Sequence, residues 1–216
     1  GNTLVNETRP VDSTVKVQDQ FLENIHLWDN HDPYLYQLLI EIRDDEGNLV
    51  ELVPYRFGFR RIEINKDHVV LLNGQRLILN GVNRHEWDAR RGRAITMDDM
   101  TSDIHTFKEN NINAVRTCHY PDQIPWYYLC DDNGIYMMAE NNLESHATWQ
   151  KMGAIEPSYN VPGSVPQWRD VVVDRARTNY ETFKNHPSIL FWSLGNESYA
   201  GDNIVKMNEF YKKHDD

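Results

Sequence analysis

The sequence predicts a mixed fold, a partial all-β sandwich over residues 1–66 followed by alternating strands and helices over residues 67–216. Three observations carry that prediction. Short apolar runs separated by turn residues fill the chain up to about Lys66, strand-helix alternation takes over from His68, and two of the later strands end abruptly in polar side chains.

The first part reads as strands. Thr14 to Val17 alternates, Leu35 to Ile42 is an apolar run with one polar break, and Glu46-Gly47-Asn48 is a turn before a further run from Leu49. Phe57, Phe59 and Ile62 to Ile64 continue the β signal. Val69 to Leu72 and Arg76 to Leu79 flank Asn73-Gly74, which tolerate the positive φ of a type I′ hairpin turn. The next strand is expected at Leu79 to Val82, leading into Asn83-Arg84-His85-Glu86.

Helices then alternate with strands. Thr96 and Asp99 form a capping box ahead of Met97, Met100, Ile104 and Phe107, which predicts a helix from Met97 to Asn110. Strand Ala114 to Thr117 precedes a helix from Pro125 to the Asn133-Gly134 stop, and strand Ile135 to Ala139 follows. After a polar loop from Ser145 to Val165, a helix is expected from Pro166, with Ser164 near its N-terminus and Trp168, Val172, Ala176 and Phe183 on one stripe. Strand Ile189 to Leu194 and a helix from Asn203 to Lys213 complete the pattern. An open doubly wound sheet and half of an eight-stranded barrel both fit this alternation. No strand runs into a GxGxxG or Walker phosphate loop.

Composition narrows the partners. A chain of 216 residues buries a sizeable core, and a net charge of −11 argues against nucleic acid and anionic membrane surfaces. No apolar run is long enough to span a bilayer, and no secretion leader is visible. Cys118 and Cys130 both sit in apolar-flanked elements and are expected as buried free thiols, which suits a reducing cytoplasm. The chain starts at Gly1 and stops just after a helical pattern, so a piece of a larger protein is expected.

The chemistry lies at the strand ends. In the segment NHPSILFWSLGNES, from Asn185 to Ser198, an apolar strand delivers Gly195, Asn196 and Glu197 to the place where parallel α/β folds keep their active sites. A carboxylate there is shielded from water on one side while facing substrate on the other, which favours the proton a general acid must hold. In NAVRTCHYPDQIPWYYLCDDNGIYMM, from Asn113 to Met138, Arg116 and His119 follow a second short strand. Glu140, Asn142, Glu144 and His146 alternate after Met138, so an extended chain would put two carboxylates and an imidazole on one side. Such a set suits Mg²⁺, and the imidazole also suits transition metals. Taken alone, each of these stretches also reads as a polar turn or a solvated loop. Trp126, Trp168 and Trp192 are read as core, with the loop residue Trp149 left open as a ligand contact.

The two long segments together resemble the signature motifs of glycoside hydrolase family 2, the family of the large β-galactosidases, β-glucuronidases and β-mannosidases; the likeness runs from about Leu35 to the end of the chain. The resemblance implies that the β part is the end of an immunoglobulin-like domain and that residues 67–216 are the first half of a (β/α)8 TIM barrel. It further implies Glu197 as general acid/base, and His85, His119 and Asn196 as sugar-binding residues. Arg116 would contact the nucleophile, while Glu144, His146 and Glu197 would hold Mg²⁺. Ala139 and Ala147 depart from the family's usual Asp and Gly. The resemblance also implies retaining hydrolysis of a β-galactoside such as lactose, with a nucleophilic Glu on a later strand. This segment alone is therefore expected to be inactive, and its partners to be the rest of the parent chain and an oligomer. Another family 2 specificity, β-glucuronidase or β-mannosidase, and a non-catalytic sugar- or metal-binding module remain as alternatives.

Overall fold

Two kinds of sheet divide the chain in the computed structural model, which describes residues 2–10, 14–15, 19–146, 161–198 and 200–215. In the β-rich part, β1 (Tyr36–Arg43) and β2 (Leu49–Phe57) pair antiparallel. The Asp44 carboxylate closes their turn by accepting the backbone N–H groups of Glu46 and Asn48, with Gly47 at φ 87°. Leu38, Leu39, Ile40, Leu49, Val50 and Leu52 stay exposed on this hairpin, as expected of a sandwich present only in part. A second antiparallel sheet joins β3 (Ile62–Ile64), β4 (Val70–Leu72) and β5 (Gln75–Arg76), and Asn73 and Gly74 take the positive φ values, 52° and 79°, that its tight turn demands.

The β module is seated on the rest of the molecule by Trp28. That ring is fully buried, and its Nε1–H donates to the Asp131 carbonyl at 2.9 Å. Gly58 passes so close that a Cβ there would lie 2.8 Å from Trp28 Cβ. Arg56 adds a paired contact to Asp132, with its Nη atoms 2.6 and 2.9 Å from the two carboxylate oxygens.

Residues from Gly81 onward build a four-stranded parallel sheet in the order β6-β7-β8-β9. Its strands are β6 (Gly81–Arg84), β7 (Ala114–Thr117), β8 (Tyr136–Glu140) and β9 (Ile189–Ser193). Between and after them come α1 (Met97–Glu109), α2 (Ile124–Asn133), α3 (Arg169–Phe183) and α4 (Asp202–His214). The fold class is thus an incomplete immunoglobulin-like β module followed by the first half of a (β/α)8 barrel, with the sheet not closed.

Local chemistry sets these elements. Thr96 and Asp99 form the reciprocal capping box of α1, and Gly134 ends α2 at φ 64°, ψ 40°. Met100, Ile104 and Phe107 of α1 and Trp126, Tyr127 and Cys130 of α2 pack on Val115, Met137, Ala139 and Ile189. Each large apolar side chain fully buried in this way contributes about 1.5–3 kcal/mol. Val172, Ala176 and Tyr180 of α3 meet Met207 and Tyr211 of α4 in a second cluster. Both cysteines are free and buried.

Several expectations need correction. The strand expected at Leu79 to Val82 begins two residues later, at Gly81. Before it, side chains replace the ladder: Asn113 Oδ1 accepts the Asn80 N–H at 2.7 Å, and Asn113 Nδ2 donates to the Ile78 carbonyl at 2.9 Å. Trp168 leaves the buried stripe, being 42 % exposed in a 3-10 turn (Pro166–Trp168) ahead of α3. Ser164 accepts the Asp202 N–H at 3.1 Å and so serves α4 instead. Thr14 and Val15 are not in a strand, and Val17 and Trp149 lie outside the described residues.

Candidate active site

The site is assembled where β6, β7, β8 and β9 end. At the end of β6, Arg84 is buried beneath the rim, its Nε 2.9 Å from Asp103 Oδ2 and its Nη1 2.7 Å from Asp122 Oδ2, with the guanidinium 3.8 Å from the Trp126 ring centroid. This brace ties the strand end to α1 and to the segment after β7. Burial pushes the Asp122 carboxyl up to about 7 against the pull of Arg84. His85, the next residue, is exposed and stands with its ring centroid 5.2 Å from that of His119, nearly edge-on at 83°. Tyr120 steadies the same corner, its hydroxyl 3.4 Å from His85 Nδ1 and accepting the Glu86 N–H at 3.1 Å.

Glu140, at the end of β8, is the hub. Its carboxylate is fully buried and accepts from Arg116 Nε and from Ser193 Oγ, each at 2.6 Å, and meets His119 Nδ1 at 2.7 Å. Those charge-assisted bonds satisfy an anion that would otherwise be costly to bury. Arg116 extends the network outward, because its Nη2 donates to Asn196 Oδ1 at 2.9 Å and lies 3.3 Å from His119 Nδ1.

The segments after β8 and β9 are then fastened together. Asn196 N–H donates to the Leu143 carbonyl at 2.8 Å, and His146 N–H to the Glu197 carbonyl at 2.7 Å. Gly195, at φ 151°, allows this approach: a Cβ there would sit 2.5 Å from the Leu143 carbonyl oxygen. His146 and Glu197 both take left-handed backbone, φ 47° and 32°, a conformation that side-chain-bearing residues adopt mainly where the surroundings enforce it.

The side chains follow the backbone. Asn196 Nδ2 donates to Glu144 Oε1 at 2.7 Å, that oxygen lies 3.0 Å from His146 Nε2, and His146 Nδ1 lies 2.8 Å from Glu197 Oε2. The Asn196 amide, with help from His119 and His146, holds the Glu144 carboxyl below its ordinary range. A continuous path therefore runs His85, His119, Arg116, Asn196, Glu144, His146, Glu197 along one rim.

Two expectations change in detail. The alternation Glu140, Asn142, Glu144, His146 does not persist, because the chain turns after β8: Glu140 is buried, Asn142 is exposed, and Glu144 meets His146 apart from them. Glu197 was expected to be shielded on one side, yet its side chain is 63 % exposed, with His146 as its neighbour. Sequence reasoning missed the central place of Glu140, and it missed Tyr120 and Ser193. For Glu140 the signal was there in YMMAE, a carboxylate closing an otherwise apolar strand.

Metal binding is constrained by the same geometry. Glu144, His146 and Glu197 stand as a chain, the imidazole between two carboxylates, and their hard oxygen donors suit Mg²⁺ chemically. The only group of three or more His, Cys, Asp or Glu among the described residues with ligand atoms all within 4.8 Å of one another is His85, Cys118 and His119. No helix among the described residues is long and apolar enough to cross a membrane.

Comparison with known proteins agrees with this architecture. A β-galactosidase large subunit from Lactobacillus helveticus is 74 % identical over 216 residues, covering all of this chain and 34 % of the relative, and one from Lactobacillus acidophilus is 75 % identical over 215. A β-galactosidase from Clostridium acetobutylicum is 55 % identical over 193 residues, covering 89 % of this chain and 21 % of that protein. The chain thus spans about a third of the length of the first two relatives. Among solved structures, a β-glucuronidase from Ruminococcus gnavus in complex with D-glucuronic acid superposes with a TM-score of 0.75 at 26 % identity, over 89 % of this chain and 31 % of that one. The family model for glycosyl hydrolases family 2 matches residues 2–60, and that for its TIM barrel domain matches residues 62–216. With the barrel half, the rim and these matches together, the chain belongs to family 2 of the glycosyl hydrolases.

Proposed function

We propose that this chain supplies the acid/base side of a retaining β-galactosidase active site. The observation that carries the reading is the unbroken path of contacts from His85 to Glu197 along the rim where the parallel strands end. Glu197, the most exposed acid of that path, donates a proton to the glycosidic oxygen as the aglycone leaves, then takes one from the water that frees the sugar. Asn196, fixed by Arg116 and Glu144, offers its amide to a sugar hydroxyl whose hydrogen bond strengthens as positive charge develops on the ring. His85 and His119 bind further hydroxyls, and Glu140 fixes the His119 ring. Arg116 positions the attacking carboxylate, which in retaining hydrolysis stands about 5–5.5 Å from the acid.

Glu144, Glu197 and His146 are the residues that would hold Mg²⁺, and a bound ion would offset negative charge beside the acid/base group. The galactoside class, lactose included, rests on the relatives named β-galactosidase at 74 and 75 % identity, and "large subunit" in those names supports a second subunit as partner. A glucuronide is the second reading, favoured by the 26 % identical β-glucuronidase structures. Two measurements on the intact protein test the reading. Aryl galactosides should be cleaved and aryl glucuronides not, and Glu197→Gln should lower kcat by about 10²–10⁴-fold on substrates with poor leaving groups and far less on activated ones. An equal loss on both kinds of leaving group would remove Glu197 from acid catalysis.

A further inference from the structure

We propose that His85, Cys118 and His119 form a second metal site on the rim, one that takes a borderline or soft divalent ion such as Zn²⁺ rather than Mg²⁺. The three residues come from two strand ends: His85 follows β6, while Cys118 and His119 follow β7, and the Cys118 N–H donates to the Arg84 carbonyl at 3.0 Å, which draws the two ends together. Their ligand atoms all lie within 4.8 Å of one another. Two nitrogens and a sulfur match zinc chemistry and disfavour a hard, oxygen-seeking ion.

The surroundings fit a metal ligand set. His119 Nδ1 faces the buried Glu140 carboxylate at 2.7 Å, the outer-shell contact that orients metal-binding imidazoles, and Nε2, 4.0 Å from Glu144 Oε1, is the nitrogen outside that bond. The nearby Arg116 charge is met by Glu140 at 2.6 Å. Cys118 is 1 % exposed and held among packed elements, whereas His85 is exposed, so the site has a buried floor and one ligand open to solvent. A water completes a tetrahedral set from that side. On binding, the sulfur–metal bond replaces the thiol S–H bond and the proton passes to solvent.

One consequence rests on the sugar-binding reading above: with His85 and His119 committed to a metal, the sugar loses two contacts, so metal and galactose exclude each other. Co²⁺ titration of the intact protein, in excess Mg²⁺, tests the site. The expected result is a thiolate-to-cobalt charge-transfer band that saturates at one equivalent, is displaced by Zn²⁺, disappears in Cys118→Ser and persists in Cys130→Ser. Near-ultraviolet circular dichroism checks the fold of Cys118→Ser. If that variant does not fold, His85→Ala, at an exposed position, should weaken Co²⁺ binding at least tenfold. No band in the unaltered protein, a band that survives Cys118→Ser, or unchanged affinity in His85→Ala would overturn the site. If the band forms as expected but galactose leaves the Co²⁺ affinity unchanged, the metal site stands and the sugar assignment of the two histidines fails.

Discussion

Each end of the parallel sheet holds a histidine whose Nδ1 meets a buried carboxylate, and the two pairs are completed in different ways. Where the strands begin, His186 Nδ1 lies 2.6 Å from Asp131 Oδ2, the other oxygen of Asp131 accepts the Ser188 backbone N–H at 3.1 Å, and Tyr127, Tyr128 and Phe183 surround the imidazole. Where the strands end, Glu140 holds His119 at 2.7 Å, but its remaining partners are the side chains of Arg116 and Ser193. The first pair is closed by backbone and aromatic rings and fixes the β module, since the Asp131 carbonyl also receives Trp28. The second passes its order outward to groups that solvent reaches. The same two functional groups thus act as a fastening when the chain seals them and as a presenting device when side chains do.

Removing the sealed carboxylate should have the largest effect on stability. Asp131→Ala leaves His186 and the Ser188 N–H without their partner in a dry site, and breaking a buried pair of this kind costs about 3–5 kcal/mol. Urea unfolding measures it. A loss under about 1 kcal/mol would mean that Asp131 is not the fastening described.

Glu140→Gln sharpens the contrast from the other end. The amide keeps the volume but loses the charge that gathers Arg116, His119 and Ser193, so stability should fall by about 1–3 kcal/mol. In the intact protein kcat/KM on aryl galactosides should fall further than stability alone explains, by about 10²-fold. Equal activity in a folded Glu140→Gln protein would reduce the hub to packing.

Gly195→Ala probes the fastening between the last two strand ends. The new Cβ would meet the Leu143 carbonyl oxygen at 2.5 Å in a backbone with φ 151°, so that contact must open, at a cost of about 1–3 kcal/mol. Because Asn196 and Glu197 follow directly, kcat should drop while the sheet's circular dichroism stays unchanged. A variant with full activity would show that the approach of Leu143 is not needed to place Glu197.

The sequence made much of this legible, and the failures have physical causes. Strand β7 ran as expected from Ala114 to Thr117, and the Thr96–Asp99 box and the Gly134 cap marked helix ends, because those signals are local. That polar groups gather at the strand ends was also readable, since a parallel strand delivers whatever follows it to one edge of the sheet, while the choice of particular residues there came from the family resemblance. Glu140 was read only as one of an alternating row. Its burial depends on Arg116 and Ser193 reaching it across neighbouring strands, separations of 24 and 53 residues along the chain. The early start assigned to β6 failed for a similar reason, because Asn113 supplies side-chain hydrogen bonds to Ile78 and Asn80 where a ladder would have begun. Trp28 gave no signal because its partner, Asp131, lies 103 residues away.

The last expected effect concerns a third buried carboxylate, and it separates the two ends by pH. Asp122 lies beneath the rim with Arg84 on one oxygen, and burial raises its carboxyl from 3.8 to about 7. Between those values the native state holds a proton that the unfolded chain has released. Stability from this group is therefore fully present below pH 3.8 and is lost as the pH rises through about 7. Asp122→Asn cannot titrate, and Arg84 keeps Asp103 at 2.9 Å as a charged partner. Measured by urea unfolding at pH 5 and pH 8, the difference between variant and unaltered protein should move in the variant's favour at the higher pH. Parallel pH profiles for the two proteins would show that Asp122 is already ionised across this range, and that Arg84 outweighs burial at this corner of the rim.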